Sequence, residues 1–207
     1  MIDSSVLTIF IPTFFFVSVT PGMCMTLALT MGMTIGVRKT FYMMWGELFG
    51  VALVSVASVV GVAGLMLNSP ALFTALKYAG GSYLVYLGIK MMVSEGNISE
   101  KIELNPIGSV SRRSLVLQGF ITAIANPKGW AFMISLLPPF VNSERPLIPQ
   151  LIVLVGIILT TEFTCLLLYS NGGKSLRRFL GKKGNVTLLN GISGILMTGV
   201  GFWLAFG

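Results

Sequence analysis

Long apolar runs, separated by short polar or charged stretches, occupy most of this 207-residue chain. Each run has the roughly 20 predominantly apolar residues that a helix needs to cross a bilayer. Only 10% of the residues are charged, which is too few to coat a soluble core of this size. The sequence therefore predicts an all-α integral membrane protein. Its six predicted transmembrane helices are Val6–Ile35, Phe41–Leu67, Ala71–Val93, Ser114–Val141, Leu147–Ser170 and Val186–Phe206.

The positive charges lie unevenly among the connections between these helices. Lysines and arginines are concentrated after the first, third and fifth helices, as in the basic run Lys174–Lys183. The opposite side has only Lys77 and Arg145. Because cytoplasmic loops are enriched in lysine and arginine, we expect these three connections to face the cytoplasm and both termini to lie outside. Nucleic-acid binding is disfavoured because no aromatic-basic surface accompanies the charges.

Two of the predicted helices contain a proline that follows a short polar residue. The first helix has Thr20 before Pro21, and the fourth has Asn126 before Pro127. Threonine and asparagine are favoured N-caps, and proline is favoured at the first position of a helix. We therefore expect each pair to break its helix and to start a second half-helix within the membrane. A simple proline kink is the alternative at either place.

The two proline motifs occupy equivalent places in the two halves of the chain. Each lies in the first of three helices, and the third helices share a glycine spacing, in Gly81–Gly88 and Gly194–Gly201. Three helices per half invert the second half, and matching interrupted helices point to a transporter site. We predict one transmembrane domain, residues 1–207. Its pseudo-repeats are 1–93 and 114–207, joined by a cytoplasmic linker at 94–113.

Three charged residues, Glu47, Lys128 and Glu162, lie inside the predicted helices. Intramembrane ionisable groups are costly and usually face an interior or a water-filled path. Glu47 is about 9 Å along its helix from Phe41 at 1.5 Å per residue, so we expect it to reach cytoplasmic water, with Glu162 deeper. Each glutamate either carries a proton or binds an ammonium group, or else forms a structural pair, such as Glu162 with Lys128.

Four segments together carry a family resemblance: "TPGM", "MGMTIGVRKTFYMMWGELFG", "YLVYLGIKMM" and "NPKGWAFMISLLPPFV". They resemble the LysE/RhtB family of bacterial amino-acid exporters, in the LysE superfamily of translocators, over essentially the whole chain. The resemblance implies proton-driven export of amino acids, or close derivatives, across the bacterial inner membrane. It assigns the motif residues Thr20, Pro21, Gly22, Asn126, Pro127 and Lys128 to the site. The chain departs from the family at Met23, where a second proline is usual, so we expect a gentler first break.

The residues and the resemblance lead to one hypothesis for a secondary transporter. The substrate carboxylate would bind backbone N–H groups at the half-helix starts after Pro21 and Pro127, where the helix dipole favours anions. Lys128 would either assist that carboxylate or neutralise Glu162. Either Glu162 or Glu47 would bind the substrate ammonium or the driving proton. One repeat rocking against the other would provide alternating access.

A membrane thiol–disulfide carrier is the main alternative, because such carriers also use proline-broken helices. It requires paired reactive cysteines, and this chain has Cys24 and Cys165 in different repeats, without a C-x-x-C motif. Lone cysteines in apolar helices are usually small packing groups. An enzyme is disfavoured because the sequence has no histidine for a metal site or a serine–histidine pair. No cofactor or metal is expected.

The expected partners are a small amino-acid substrate, protons and membrane lipid. The apolar, methionine-rich helices favour a neutral side chain on the substrate over a dicationic one. Glycine pairs such as Gly46 and Gly50 serve either close helix packing within the chain or a homodimer.

Overall fold

The computed structural model describes residues 4–93, 111–137, 140–142, 145–180 and 183–206. These residues are almost entirely helical, which confirms the all-α class. The predicted linker falls largely at 94–110, outside the described residues. The helices are α1 (Ser4–Val19), α2 (Met23–Thr34), α3 (Val37–Asn68), α4 (Pro70–Val93), α5 (Arg112–Ile124), α6 (Pro127–Leu136), α7 (Leu147–Leu180) and α8 (Lys183–Phe206).

Three helices contain segments long and apolar enough to cross a membrane by themselves. These segments are Val37–Gly61 in α3, Leu147–Gly173 in α7 and Gly184–Phe202 in α8. A fourth candidate span is formed by α1 and α2 together, with a bend of 54° between Leu7–Val19 and Met23–Thr34. The described chain thus has the spans of an integral membrane protein. Spans at α4, and at α5 with α6, stay predictions.

Two helix boundaries depend on glycines with positive φ. Gly36, at φ 81°, follows the C-cap Ile35 and lets α3 start immediately after α2. Gly173, at φ 43°, breaks α7 between the spanning segment Leu147–Gly173 and a basic helical segment that continues to Leu180, beyond the predicted end at Ser170. The basic end of α7 is therefore a separate helical segment that follows the spanning one.

Helices α4 and α8 meet through two reciprocal glycine pairs. A methyl group on Gly88 would lie 2.6 Å from the Gly194 carbonyl oxygen, and one on Gly194 would lie 2.5 Å from the Gly88 oxygen. Gly81 and Gly201 oppose each other in the same way, at 2.8 and 2.7 Å. Only glycine permits such close backbones. The two glycine-spaced segments therefore lie against each other in antiparallel register.

A second close contact joins α3 to α5, and we call it the α3–α5 seam. The backbone of Gly46 lies against the Val116 carbonyl, and Gly119 faces the Met43 carbonyl. Gly50 lies against Ala123, where an added methyl group would be 2.7 Å from the alanine side chain. Gly46 and Gly50 thus pack within the chain, which decides between the two predicted uses of this glycine pair.

Many large apolar side chains point outward from the helix bundle. Trp45, Phe49, Ile152 and Phe202 are among the exposed ones. Extensive exposed apolar surface marks a membrane or a protein partner. Lipid contact on the outer faces leaves the interior of the bundle as the place for the polar groups.

Candidate functional site

The first break in the helices lies between Val19 and Met23. The N-cap of α2 is Gly22, in an extended conformation and without a side-chain cap, so the predicted N-cap at Thr20 is wrong. The Thr20 hydroxyl lies 2.7 Å from the Phe16 carbonyl, one turn back in α1. The Thr20 hydroxyl thus bonds to the last turn of α1, and two further residues separate Thr20 from the start of α2.

Side chains from three other helices bind carbonyl groups in the last turn of α1. Ser193 of α8 donates to the Phe16 carbonyl at 2.7 Å, and its hydroxyl is 2.5 Å from that of Thr20. Tyr169 of α7 donates to the Val19 carbonyl at 2.7 Å. Lys128 of α6 donates from Nζ to the Val17 carbonyl at 3.0 Å. The orphan carbonyls of a helix end inside a bundle need such partners.

The second break lies between Ile124 and Pro127. Asn126 is the N-cap of α6, and its Oδ1 accepts a hydrogen bond from the Lys128 backbone N–H at 3.1 Å. The Trp130 indole donates to the Ile124 carbonyl at 2.7 Å, at the end of α5. The Asn126 amide also reaches Cys24 Sγ at 3.7 Å. Asn126 therefore joins the second break to the first turn of α2.

A cavity of about 50 Å³ lies between the two breaks. Five of the predicted site residues line it: Thr20, Gly22, Asn126, Lys128 and Glu162. At roughly 10–15 Å³ for each water-sized space, the cavity holds a few water molecules. An amino acid would therefore fit only after the breaks move apart.

A lysine and a glutamate side chain line the cavity. Lys128 Nζ is held beside the α1 end, and Glu162 enters from α7 next to Ser18. Glu162 Oε2 is buried and, within the described part of the chain, has no hydrogen-bond partner. No direct hydrogen bond joins Lys128 to Glu162 among the contacts of the described residues. The lysine donates to a carbonyl oxygen, and the two side chains interact electrostatically.

Glu47 lies outside the cavity, although the sequence places it with the site residues. Its exposed fraction is 0%, so the predicted contact with cytoplasmic water is wrong. Its backbone lies in the α3–α5 seam, where a methyl group on Gly119 would lie 2.9 Å from the Glu47 nitrogen. The Cys24 thiol approaches the carboxyl group. Neither carboxyl oxygen has a partner at hydrogen-bond geometry among the residues that the structure describes.

Apolar side chains form the rest of the cavity wall. Phe14 and Val17 come from α1, and Phe132 and Met133 come from α6. Phe14 and Phe132 also contact each other, with ring centroids 5.6 Å apart. The arrangement offers a surface for an apolar group beside the two charged side chains.

Several residues at or next to the cavity were not predicted from the sequence as parts of the transport site. Ser18 lines the cavity, while Tyr169 and Ser193 hold the end of α1. Cys24, predicted only as a candidate for thiol–disulfide chemistry, also lines the cavity. Each is a polar or sulfur-containing residue inside an apolar run, and this pattern is the signal by which the sequence could have indicated it. Cys24 and Cys165 are both buried and free. The thiol–disulfide alternative would require them to pair.

Comparison with known proteins gives a family and several relatives. The sequence model of the family described as LysE type translocator matches residues 15–207. A leucine efflux protein of Enterobacter is 28% identical over 92% of this chain and 90% of its own length. A leucine efflux protein of Klebsiella pneumoniae is 29% identical over 63% and 62%. An uncharacterized membrane protein of Vibrio cholerae is 26% identical over 91% and 90%. No solved structure gives a significant match.

Proposed function

Because this chain belongs to the LysE type translocator family, we propose that it exports amino acids from the cytoplasm of a bacterium across the inner membrane. The observation that carries the proposal is the cavity between the two helix breaks. It has one ammonium group, from Lys128, and one carboxyl group, from Glu162. This pair complements the two charges that every neutral amino acid carries at neutral pH.

The substrate carboxylate binds at the start of α2. Gly22 provides no side-chain cap there, so the first backbone N–H groups of α2 are available beside the cavity. Anions are favoured at such a helix start. The start of α6 is less suitable, because Asn126 already accepts from the Lys128 N–H. Lys128 adds its side-chain charge on the other side of the carboxylate.

Glu162 receives the substrate ammonium group. Its buried Oε2 has no partner among the described residues, and an unsatisfied buried carboxyl oxygen is a strong acceptor. Pro21 and Pro127 contribute by position, since each lies at a break between two helices. Thr20 supports the first break through Phe16 and Ser193.

A neutral, apolar amino acid fits these walls best. Phe14, Phe132 and Met133 offer apolar contact, and a second cation on the substrate would face Lys128. The Enterobacter relative is named as a leucine efflux protein, and its match covers 92% of this chain. Leucine or a similar aliphatic amino acid is therefore the first substrate to test.

The chain crosses the membrane six times as two inverted repeats, with α1/α2, α3 and α4 in one and α5/α6, α7 and α8 in the other. The reciprocal glycine pairs of α4 and α8 support this arrangement, since the third helices of inverted repeats meet antiparallel across the pseudo-two-fold axis. The distribution of the positive charges supports an orientation with both termini outside.

Transport proceeds by alternating access and is driven by the proton-motive force. The cavity is too small for an amino acid, so substrate entry requires the two breaks to separate. A movement of one repeat against the other would separate them, because each break belongs to a different repeat.

Proteoliposomes test the proposal directly. Vesicles that contain the purified protein in known orientation would be loaded with labelled leucine, or with a panel of other amino acids, and exposed to an imposed pH gradient. Glu162→Gln and Lys128→Gln should lose most of the export, whereas Lys39→Gln, an exposed cation far from the cavity, should keep it. If folded wild-type protein moved none of the amino acids, the exporter assignment would be wrong.

A further inference from the structure

We propose that the two membrane carboxyl groups have separate tasks: Glu47 binds and releases the driving proton, and Glu162 binds the substrate. This inference rests on the proposed export function and divides its steps between two residues. The two carboxyl groups differ in position, since Glu162 lines the cavity and Glu47 is fully buried outside it.

The Glu47 side chain is fully buried and lies outside the cavity, where no amino acid reaches it. Gly46, next to it in α3, has its backbone against the Val116 carbonyl. Gly119 of α5 faces the Glu47 backbone nitrogen, and an added methyl group there would lie 2.9 Å from it. A proton, unlike an amino acid, needs no cavity. Glu162, in contrast, lines the cavity directly.

Glu47 is buried without a partner for either oxygen in the described chain. A buried, unpaired charge is strongly unfavourable, so this buried position suits the neutral, protonated acid. Ionisation requires water or a cation at the carboxylate. Proton release from Glu47 therefore requires water to reach the carboxyl group between α3 and the helices packed around it, in the cytoplasmic half of α3 in the proposed topology.

Cys24 connects Glu47 to the cavity. It lines the cavity on one side, contacts Asn126, and approaches the Glu47 carboxyl group on the other. The other titratable groups near Glu47 are Glu162 and Cys165 of α7, and Lys128 of α6 acts on Glu162. The α5 face of the seam contributes Leu115, Gly119 and Ala123, which do not titrate.

Electrostatic repulsion between the two carboxyl groups couples proton to substrate. Glu47 and Glu162 interact, and two nearby carboxylates resist simultaneous ionisation. When the substrate ammonium neutralises Glu162, Glu47 releases its proton to the cytoplasm. When the substrate leaves on the outside, Glu47 takes up one proton there. One proton thus enters for each amino acid that is exported.

Two assays separate the tasks of the two residues. The first follows gradient-free exchange of labelled leucine, or of another exported amino acid, across the vesicle membrane. The second follows gradient-driven export together with proton flux, reported by a pH-sensitive dye inside the vesicles. Glu47→Gln should keep exchange within about threefold of wild type, and lose substrate-linked proton flux and gradient-driven export by at least tenfold. Glu162→Gln should lose both.

Each result supports or overturns the inference. Gradient-driven export that persists in Glu47→Gln, or loss of exchange in folded Glu47→Gln, would overturn it. If Glu47→Gln does not fold, Glu47→Asp replaces it. Glu47→Asp should keep the proton flux, and its export should depend on pH differently from that of the wild type. If the pH dependence of export is the same as in the wild type, the inference is overturned. If export by the wild type does not depend on the pH gradient, proton-driven transport is contradicted. If the wild type exports no amino acid, the proposed function is contradicted.

Discussion

At the scale of single residues, Lys128 has two roles that a sequence cannot separate. Its ammonium group donates to the Val17 carbonyl and also lines the cavity beside Gly22. Since a lysine ammonium has three donors, one bond to Val17 leaves others for a substrate carboxylate. The same residue therefore stabilises the first break and, in the proposed mechanism, charges the binding site.

We expect Lys128→Met to lower both stability and export. The Val17 carbonyl would lose its donor inside the bundle, at a cost of about 1–3 kcal/mol. Thermal unfolding in detergent and export from vesicles are the two measurements. Lys90→Met, which removes an exposed cation, is the matched control. An unchanged unfolding midpoint in Lys128→Met would mean that the Val17 contact contributes little.

Asn126 should stabilise α6 through its cap. Asn126→Ala removes an N-cap side chain, for which the usual loss is about 0.5–2 kcal/mol. Asn126→Ser keeps a capping oxygen and should recover most of the loss, although it gives up the contact to Cys24. The measurement is the free energy of unfolding of the wild type, Asn126→Ala and Asn126→Ser. Equal values for alanine and serine would show that the cap is not what stabilises the break.

At the scale of helices, the two breaks differ although their sequence motifs match. Asn126 caps α6 with its side chain, whereas α2 begins at Met23 behind the uncapped Gly22. Met23 is thus the first residue of α2, the position at which proline is most compatible with a helix. The starts of α2 and α6 therefore differ in the number of backbone N–H groups that are left without a side-chain cap.

Met23→Pro should preserve the fold. Proline is preorganised for the first position of a helix, and a compatible proline typically adds about 0.4–1 kcal/mol of stability. The unfolding midpoint should stay the same or rise, and Met25→Pro, further into α2, should lower it. If Met23→Pro unfolds the protein, α2 begins elsewhere.

The contact of α4 with α8 should depend on Gly194. Gly194→Ala would place a methyl group against the Gly88 carbonyl and force the helices apart, with an expected loss on the order of 1–3 kcal/mol. Gly199→Ala, in the same helix with open space around it, is the control and should be neutral or stabilising. Thermal unfolding of both variants checks the difference. Equal stability would contradict the close approach.

At the scale of the whole molecule, the directions of the packed helices agree with the proposed insertion. Gly46 meets Val116 and Gly50 meets Ala123, so α3 and α5 run in the same direction along their seam. Helices α4 and α8 run in opposite directions. An alternating insertion of six spans produces both relations, because the second and fourth spans point the same way and the third and sixth do not.

The topology has its own test. In a background with Cys24→Ala and Cys165→Ala, new cysteines at exposed positions would be labelled with a membrane-impermeant maleimide on intact cells. Pro146→Cys should react from outside, and Lys39→Cys should react only after the cells are opened. The reverse pattern would invert the proposed orientation.

Much of the architecture follows from the order of apolar and polar residues. A run of about 20 apolar residues can satisfy its backbone in a membrane only as a helix. The all-α class could be predicted for this reason. Asn126 and Pro127 likewise specify their helix start locally, since cap and proline act on neighbouring N–H groups. At Thr20 local preference failed, because Phe16 and Ser193 offered the hydroxyl other partners.

The sequence by itself determined the helices, their apolar character and the residues from which a charged site could be built. Only the tertiary structure decided which of those residues share the cavity: Lys128 and Glu162 line it, whereas Glu47 is buried outside it. The physical reason is the separation along the chain over which each kind of interaction acts. Helix formation and capping depend on neighbours within a turn or two, whereas burial and partners depend on which helices pack together, and residues as distant as Val17 and Lys128 meet only through that packing.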